Sequence, residues 1–100
     1  MTQVTVRMRD ALNGRMEIRG HAGDDKICAA ISTLTGAALN AMGEAAQNVV
    51  YESGDVEFDL HITDGMQIGA LDVLVTGLEM LSENFPERVG VTVERPHPVQ

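Results

Sequence analysis

The sequence predicts an α+β domain, a two-layer α/β sandwich in which two helices pack on one face of a mixed β-sheet. Five segments alternate apolar and polar residues, which is typical of strands that bury only one face. Two longer segments each carry one apolar stripe at helical spacing, as expected for helices that contact a single neighbouring layer. The order of the segments is ββαββαβ. The alternating strands argue against a doubly wound sheet, whose strands would be apolar on both faces.

The chain begins with a predicted β-hairpin. In VTVRMR, residues 4–9, apolar side chains alternate with polar ones, and RMEIR, residues 15–19, alternates in the same way. The dipeptide Asn13-Gly14 stands between the two runs and is typical of tight turns. We therefore expect two antiparallel strands joined by a turn at Asn13-Gly14.

The next segment predicts a long amphipathic helix from Lys26 to about Val49. Asp24 or Asp25 stands where an N-cap is expected, because a short carboxylate accepts hydrogen bonds from the unpaired amides of the first turn. Apolar residues recur every three or four positions and form a single stripe. This stripe comprises Ile27, Ile31, Leu34, Ala38, Met42 and Ala45.

A second hairpin and a second helix follow. Residues 48–62 predict two strands around Ser53-Gly54-Asp55, and the second alternates regularly from Val56 to Ile62. The helix is predicted from about Gly65 to Asn84, with Asp64 as its candidate cap and Pro86 just beyond its end. Its apolar stripe comprises Leu71, Leu74, Leu78, Leu81 and Phe85.

The last predicted element is a strand in which Val89, Val91 and Val93 point inward. The 100 residues suffice for one domain with a core of its own. We expect this domain to span residues 1–95 and residues 96–100 to form a flexible C-terminal tail.

The composition argues against several classes of function. The net charge of −8 disfavours direct binding of DNA or RNA, where a basic stripe is expected. A single cysteine excludes an intramolecular disulfide and any multi-cysteine metal site. No apolar run has the length of a membrane span, and the N-terminus lacks the apolar region of a signal peptide. We therefore expect a cytoplasmic protein with no membrane partner.

The stretch GHAGDDKIC, residues 20–28, is the strongest candidate for a functional site. His21 follows the second predicted strand and Cys28 lies in the first turn of the first helix, so the loop 22–27 can bring them face to face. A helix N-terminus and a neighbouring imidazolium both favour the nucleophilic thiolate. Asp25 could cap the helix or orient the His21 ring, and the amides of residues 28–30 could stabilise an oxyanion.

Simpler interpretations of these residues stay open. A lone cysteine is most often a small buried hydrophobe, and Cys28 stands between two apolar neighbours. A metal site built from His21, Cys28 and Asp24 or Asp25 is less well supported, since a structural zinc site closes with four ligands, mostly Cys and His. The other two histidines of the chain, His61 and His97, are expected to be surface residues.

The motif resembles that of a known family. GHA followed by D-x-ϕ-C-A-[AS]-ϕ-S, where ϕ is apolar, resembles the signature of the ribosomal-processing cysteine protease family, Prp. The resemblance covers nearly the whole chain, including the terminal run that starts at Phe85-Pro86. The matching residues of the signature are Gly20, His21, Ala22, Asp25, Ile27, Cys28, Ala29, Ala30, Ile31 and Ser32.

The resemblance implies a small homodimeric cysteine endopeptidase that uses neither cofactor nor metal. His21 would be the general base and acid and Cys28 the nucleophile. The implied substrate is the precursor of a large-subunit ribosomal protein, whose N-terminal extension is removed during ribosome maturation. Many members carry a longer, glycine-containing loop between the histidine and the cysteine. The supporting residues that the signature implies are Gly20, Ala22, Asp25, Ala29 and Ser32.

Two other functions fit the same sequence. A non-catalytic, ribosome-associated assembly or binding module would keep the fold and the motif without cleaving a peptide. A small dimeric structural protein would bury its cysteine. Reactivity of the Cys28 thiol in the folded protein disfavours the structural protein, and peptidase activity separates the enzyme from the binding module.

Overall fold

The computed structural model describes residues 1–96 and shows a five-stranded sheet with two helices on one face. This confirms the predicted α+β class, the two layers and the order ββαββαβ. The elements are β1 (Thr2–Met8), β2 (Asn13–Arg19), α1 (Asp25–Met42), a 3-10 turn (Gly43–Ala45), β3 (Ala46–Glu52), β4 (Asp55–His61), α2 (Gly65–Asn84) and β5 (Val89–Glu94).

The sheet is mixed, with the strand order β3-β4-β2-β1-β5. The predicted first hairpin is confirmed, since β1 and β2 pair antiparallel with Val4 opposite Ile18 and Val6 opposite Met16. β2 also pairs antiparallel with β4, which places Arg19 opposite Asp55. Only β5, after the crossover through α2, joins its neighbour β1 in the parallel sense among the described strands. The β2–β4 pairing brings the two hairpins together, and the candidate site begins at the end of β2, beside Asp55.

The two faces of the sheet have opposite character. The covered face carries the alternating apolar residues of the strands, such as Val4, Met16 and Phe58, which are buried against the helices. The open face carries ion pairs: Glu57 accepts hydrogen bonds of 2.7 Å from Arg15 and from Arg19. The apolar burial on one face and the charges on the other explain why the strands alternate so regularly.

The two helices touch each other as well as the sheet. A Cβ atom added at Gly77 of α2 would lie 2.9 Å from Cδ1 of Leu34, so the missing side chain lets α1 approach closely.

The predicted cap of α2 is confirmed, because the carboxylate of Asp64 accepts a 2.9 Å hydrogen bond from the amide of Gln67. Phe85 was predicted in the apolar stripe of α2, but it caps the end of the helix and is exposed.

The predicted end of α1 at about Val49 is wrong. The helix ends at Met42 because Gly43 adopts a φ of 54°, a conformation that breaks the helix and that glycine tolerates. The chain continues through the 3-10 turn, in which Ala45 is buried. Ala45 stands three residues after Met42, at the spacing of the apolar stripe, and is buried although it lies outside the helix. The helical periodicity of the sequence therefore continues past the end of α1.

The turn of the first hairpin was also misplaced. Asn13 and Gly14 lie inside β2, and the turn is formed by the residues before them. The carboxylate of Asp10 organises it by accepting the backbone amides of Leu12 and Asn13, both at 2.8 Å. Gly14 is required by packing instead, since a Cβ atom there would lie 2.7 Å from Sδ of Met8.

Within residues 1–96, neither helix is both long and apolar enough to cross a lipid bilayer. The predicted tail 96–100 lies outside the described residues except for Pro96, and so does His97.

We predict that Asp10→Ala lowers the free energy of unfolding at about pH 7 and that this loss shrinks below about pH 4. The hydrogen bonds from the Leu12 amide and then from the Asn13 side chain hold the pKa of Asp10 below its ordinary value of 3.8. The folded state therefore gains stability from the ionised carboxylate above that value, and the gain disappears as the carboxylate is protonated.

Urea unfolding of the variant and the wild type, once at about pH 7 and once below about pH 4, measures this loss. Asp72→Ala replaces an exposed acidic side chain of α2 and is the control, whose effect should be the same at both pH values. An equal loss for Asp10→Ala at both pH values would contradict the assignment.

Candidate active site

The end of β2 places His21. Just past the last β2–β4 pair, the amide of Gly20 donates a 2.9 Å hydrogen bond to the carbonyl of Gly54, in the turn between β3 and β4. The ring of His21 then lies against Gly54: a Cβ atom there would sit 2.6 Å from Nε2 of His21. Gly54 has a φ of 76°, so glycine is favoured both by the backbone and by the histidine that covers it.

The chain between His21 and α1 makes a short, anchored loop. Gly20 and Gly23 have φ values of 90° and 76°, which turn the backbone away from the sheet. Ala22 is buried, and its carbonyl accepts a 2.9 Å hydrogen bond from Nη1 of Arg88. The predicted signature residues Gly20 and Ala22 therefore shape and fix the loop that separates His21 from the helix.

Asp24, and not Asp25, caps α1. Its carboxylate accepts the amides of Lys26 at 2.9 Å and Ile27 at 3.2 Å. Asp25 is the first residue of the helix and is exposed. Within residues 1–96 no hydrogen bond joins Asp25 to His21, so the orienting role predicted for Asp25 is not formed in this structure.

Cys28 is the fourth residue of α1 and is half-buried, packed against the hydrophobic core. Its amide donates a 2.9 Å hydrogen bond to the carbonyl of Asp24 and so closes the first helical turn. The prediction that the Cys28 amide helps to bind an oxyanion is therefore wrong, since this donor is already used inside the helix. The amides of Lys26 and Ile27 donate hydrogen bonds to the side chain of Asp24.

His21 and Cys28 line one cleft, with a volume of about 390 Å³, between α1 and the β3–β4 hairpin. Gly20 and Ser32 of the predicted signature also line it, whereas Ala22, Asp25 and Ala29 do not. The remaining lining residues come from β1, β2, α1 and the hairpin: Thr2, Ile18, Ile31, Thr35, Tyr51, Glu52, Ser53, Gly54, Asp55 and Val56.

Tyr51 links the hairpin to α1 across one side of this cleft. Its hydroxyl donates a 3.3 Å hydrogen bond to the carbonyl of Ser32. A Cβ atom at Gly36 would lie 3.8 Å from the same hydroxyl, so the glycine leaves room for the tyrosine to cross the helix. The hairpin is therefore held to α1 at Tyr51 and to the end of β2 at Gly54.

The sequence motif did not reveal the residues of the hairpin or Thr35. Tyr51, Gly54 and Asp55 reach the site only because β3 and β4 fold back beside β2, and the sequence pattern does not show which strands become neighbours. Thr35 had a visible signal: it lies four residues after Ile31, so a polar side chain interrupts the buried stripe of α1.

The described part of the chain contains no group of three or more His, Cys, Asp or Glu side chains arranged to hold a metal ion. The metal site considered from His21, Cys28 and an aspartate thus finds no support in the positions of these residues. What the cleft offers is a thiol and an imidazole among its lining residues, the pair that nucleophilic acyl transfer by cysteine hydrolases uses.

Comparison with known proteins identifies the family of this chain. The family described as Cysteine protease Prp matches residues 1–90 of the chain. The chain therefore belongs to the Prp family of cysteine proteases. A search of curated proteins finds no significant match to the sequence.

Solved structures share the fold. The essential ribosomal processing protease Prp from S. aureus, in complex with a covalently linked product peptide, superimposes with a TM-score of 0.79 at 18% identity, covering 94% of this chain and 100% of that one. The same protease with a substrate peptide gives a TM-score of 0.70 at 19% identity, with coverage of 94% and 100%. SMU.848 from Streptococcus mutans gives a TM-score of 0.79 at 28% identity, covering 96% of both chains.

We predict that Gly54→Ala destabilises the protein by about 1–3 kcal/mol and displaces the His21 ring, because the new methyl group meets both an unfavourable φ and the imidazole. Gly43→Ala is the matched control, since Gly43 also has a positive φ but no atom lies within 4 Å of its added Cβ.

Both variants should lower the melting temperature, but only Gly54→Ala should shift the NMR resonances of the His21 ring and reduce peptidase activity. Unchanged His21 resonances in Gly54→Ala would show that the ring does not rest on this turn.

Proposed function

We propose that this protein is an endopeptidase that removes the N-terminal extension of a large-subunit ribosomal protein, with Cys28 as nucleophile and His21 as general base and acid. The observation that carries the proposal is that the only cysteine of the chain shares one cleft with His21, in a member of a cysteine protease family. The S. aureus protein of the same fold is described as a ribosomal processing protease and holds a covalently linked product peptide.

In the proposed reaction His21 takes the proton from Sγ of Cys28 as the sulfur attacks the scissile carbonyl carbon. The C–N bond then breaks, His21 gives the proton to the leaving amine, and a thioester links the extension to Cys28. A water molecule, deprotonated by the same imidazole, hydrolyses the thioester and restores the thiol. His21 suits this shuttle because it is exposed and its ring carries no hydrogen bond to another described residue, so its nitrogens are not engaged elsewhere.

The supporting residues have structural roles in this proposal. Gly20 and Ala22 hold the loop that follows His21, through the bond to Gly54 and through Arg88. Ser32 lies one helical turn beyond Cys28 in the cleft wall and contacts the peptide. Asp25 places an acidic group at the N-terminus of α1, where it is favourable. Ala29 leaves space beside Cys28 because its side chain is small.

The proposed setting is a cytoplasmic homodimer without cofactor, metal or direct contact to nucleic acid. The net charge of −8 suits a basic ribosomal protein as substrate. Support for a dimer comes from α2, which exposes Met66, Val73 and Met80 at seven-residue spacing, an apolar line on its outer side. Light scattering of the purified protein tests the dimer.

We predict that the wild type shortens the source organism's ribosomal protein precursor by the mass of its extension, and that Cys28→Ala and His21→Ala each reduce this rate by about 10³-fold or more. His61→Ala is the matched control and should cleave normally, because His61 lies on β4 and is bonded to Asn13, outside the cleft. Intact-mass spectrometry of the incubated mixture measures the cleavage, and circular dichroism checks that each variant folds.

Each alternative function has its own outcome in this experiment. An intact precursor that nevertheless binds the wild-type protein would replace the enzyme with a ribosome-associated binding module. A precursor that neither binds nor changes would favour the structural protein. Normal turnover by Cys28→Ala would remove Cys28 as the nucleophile.

A further inference from the structure

Two side-chain oxygens are buried without a hydrogen-bond partner among the described residues, Oγ1 of Thr35 and Oδ1 of Asp55. Both residues line the cleft that holds His21 and Cys28. Such atoms are rare in folded proteins, because a buried polar atom without a partner loses its hydration and gains nothing in return. Both atoms face one cleft, and a ligand bound there would satisfy them.

Thr35 is the stronger of the two observations. Only 1% of its surface is exposed, and its hydroxyl does not bond back to the carbonyl of Ile31, the arrangement that a threonine within a helix commonly adopts. Thr35 therefore keeps an unpaired hydroxyl at a position where an apolar residue would complete the stripe of α1. The side chain of Asp55 is 39% exposed and the closest described cation is Nε of Arg19 at 4.0 Å, beyond hydrogen-bond distance.

Thr35 lies away from the reacting thiol. Thr35 is seven residues after Cys28, which is roughly 10 Å along the helix. Between Cys28 and Thr35 the cleft wall carries Ile31, and Ile18 and Val56 also line the cleft. A group that enters along α1 from Cys28 thus passes Ile31 before it reaches the Thr35 hydroxyl.

We propose that Thr35 and Asp55 form a specificity subsite for a substrate side chain that has an apolar stem and ends in an N–H donor, an amide or an ammonium group. The carboxylate of Asp55 only accepts hydrogen bonds, so the ligand must donate. The hydroxyl of Thr35 accepts a second N–H or donates to an amide oxygen. This inference rests on the proposed function, because it takes the ligand to be the peptide that Cys28 cleaves.

The distance along α1 sets where this side chain stands in the substrate. An extended peptide advances about 3.3 Å per residue, so roughly 10 Å of cleft corresponds to about three residues. The recognised side chain therefore lies within three residues of the scissile bond. Glutamine and lysine have the length and the donor, methionine has the shape without the donor, and glutamate has an acceptor that Asp55 repels.

The test uses peptides that span the cleavage site found with the ribosomal precursor. Gln, Lys, Met or Glu is placed in turn at each of the three positions on either side of the scissile bond. At one position we expect the wild type to cleave the Gln or Lys peptide about 10-fold more efficiently than the Met peptide, with the difference in KM, and the Glu peptide more slowly still. Asp55→Asn separates the two donors, because it should weaken selection of Lys far more than selection of Gln.

Thr35→Val removes the hydroxyl and keeps the shape of the side chain. It should bring the Gln-to-Met ratio close to one and raise the melting temperature by about 4 °C or more, because the unpaired hydroxyl is gone. Thr33→Val is the matched control: Thr33 is an exposed threonine of the same helix outside the cleft, and its replacement should change neither the ratio nor the kinetic constants.

The outcomes separate this inference from the proposed function. If the wild type cleaves the peptides but shows no preference at any position, or if Thr35→Val keeps the preference, the subsite is wrong and the peptidase stands. If the wild type leaves the precursor intact, so that no cleavage site is found, the proposed function fails and takes the substrate assignment with it, whatever Thr35→Val does to the melting temperature.

Discussion

The hydrogen bond from the Gly20 amide to the Gly54 carbonyl, 2.9 Å long, joins the two parts of the chain on which the site depends. It continues the β2–β4 pairing by one step beyond Arg19 and Asp55. The chain leaves this bond directly into His21, whose ring covers Gly54. The bond therefore fixes the hairpin turn beside His21, where the turn forms part of the cleft wall.

The rest of the site follows from the same constraint. Since β2 ends at the hairpin turn, the short loop to α1 must cross the end of the sheet, and its positive-φ glycines and the bond from Arg88 to Ala22 keep it compact. The loop delivers Asp24 to cap α1, which places Cys28 at the close of the first turn. The position of the thiol is thus set by ordinary helix capping, and that of the imidazole by strand pairing.

One residue of the cleft, Thr35, lowers the stability of the fold. An apolar residue at Thr35 would complete the stripe of α1, and a buried hydroxyl without a partner is unfavourable by about 1–3 kcal/mol. Natural proteins accept such unfavourable groups at functional sites, where stability is traded against activity. The neighbouring Ile31 and Ile27, which face the core, show no such departure from the apolar pattern.

Much of the fold and part of the site could be predicted from sequence because those features depend on local signals. The bounds of α2 and the cap at Asp64 were predicted correctly, since capping and apolar periodicity act within a few residues. The end of α1 failed because the buried Ala45 continues the periodicity past Gly43. His21 and Cys28 were found through a contiguous motif, whereas Tyr51, Gly54 and Asp55 join the site through long-range strand pairing, which periodicity does not reveal.

The central claim is that His21 and Cys28 act together across this cleft, and the alkylation rate of the thiol in the folded protein tests it most directly. With iodoacetamide at neutral pH, we predict that the wild type and His61→Ala react equally fast and that His21→Ala reacts about 10-fold more slowly, since the imidazole no longer accepts the proton of the attacking thiol. Intact-mass spectrometry locates and times the single adduct. Equal rates in all three proteins, or a thiol that does not react while the protein is folded, would contradict the account.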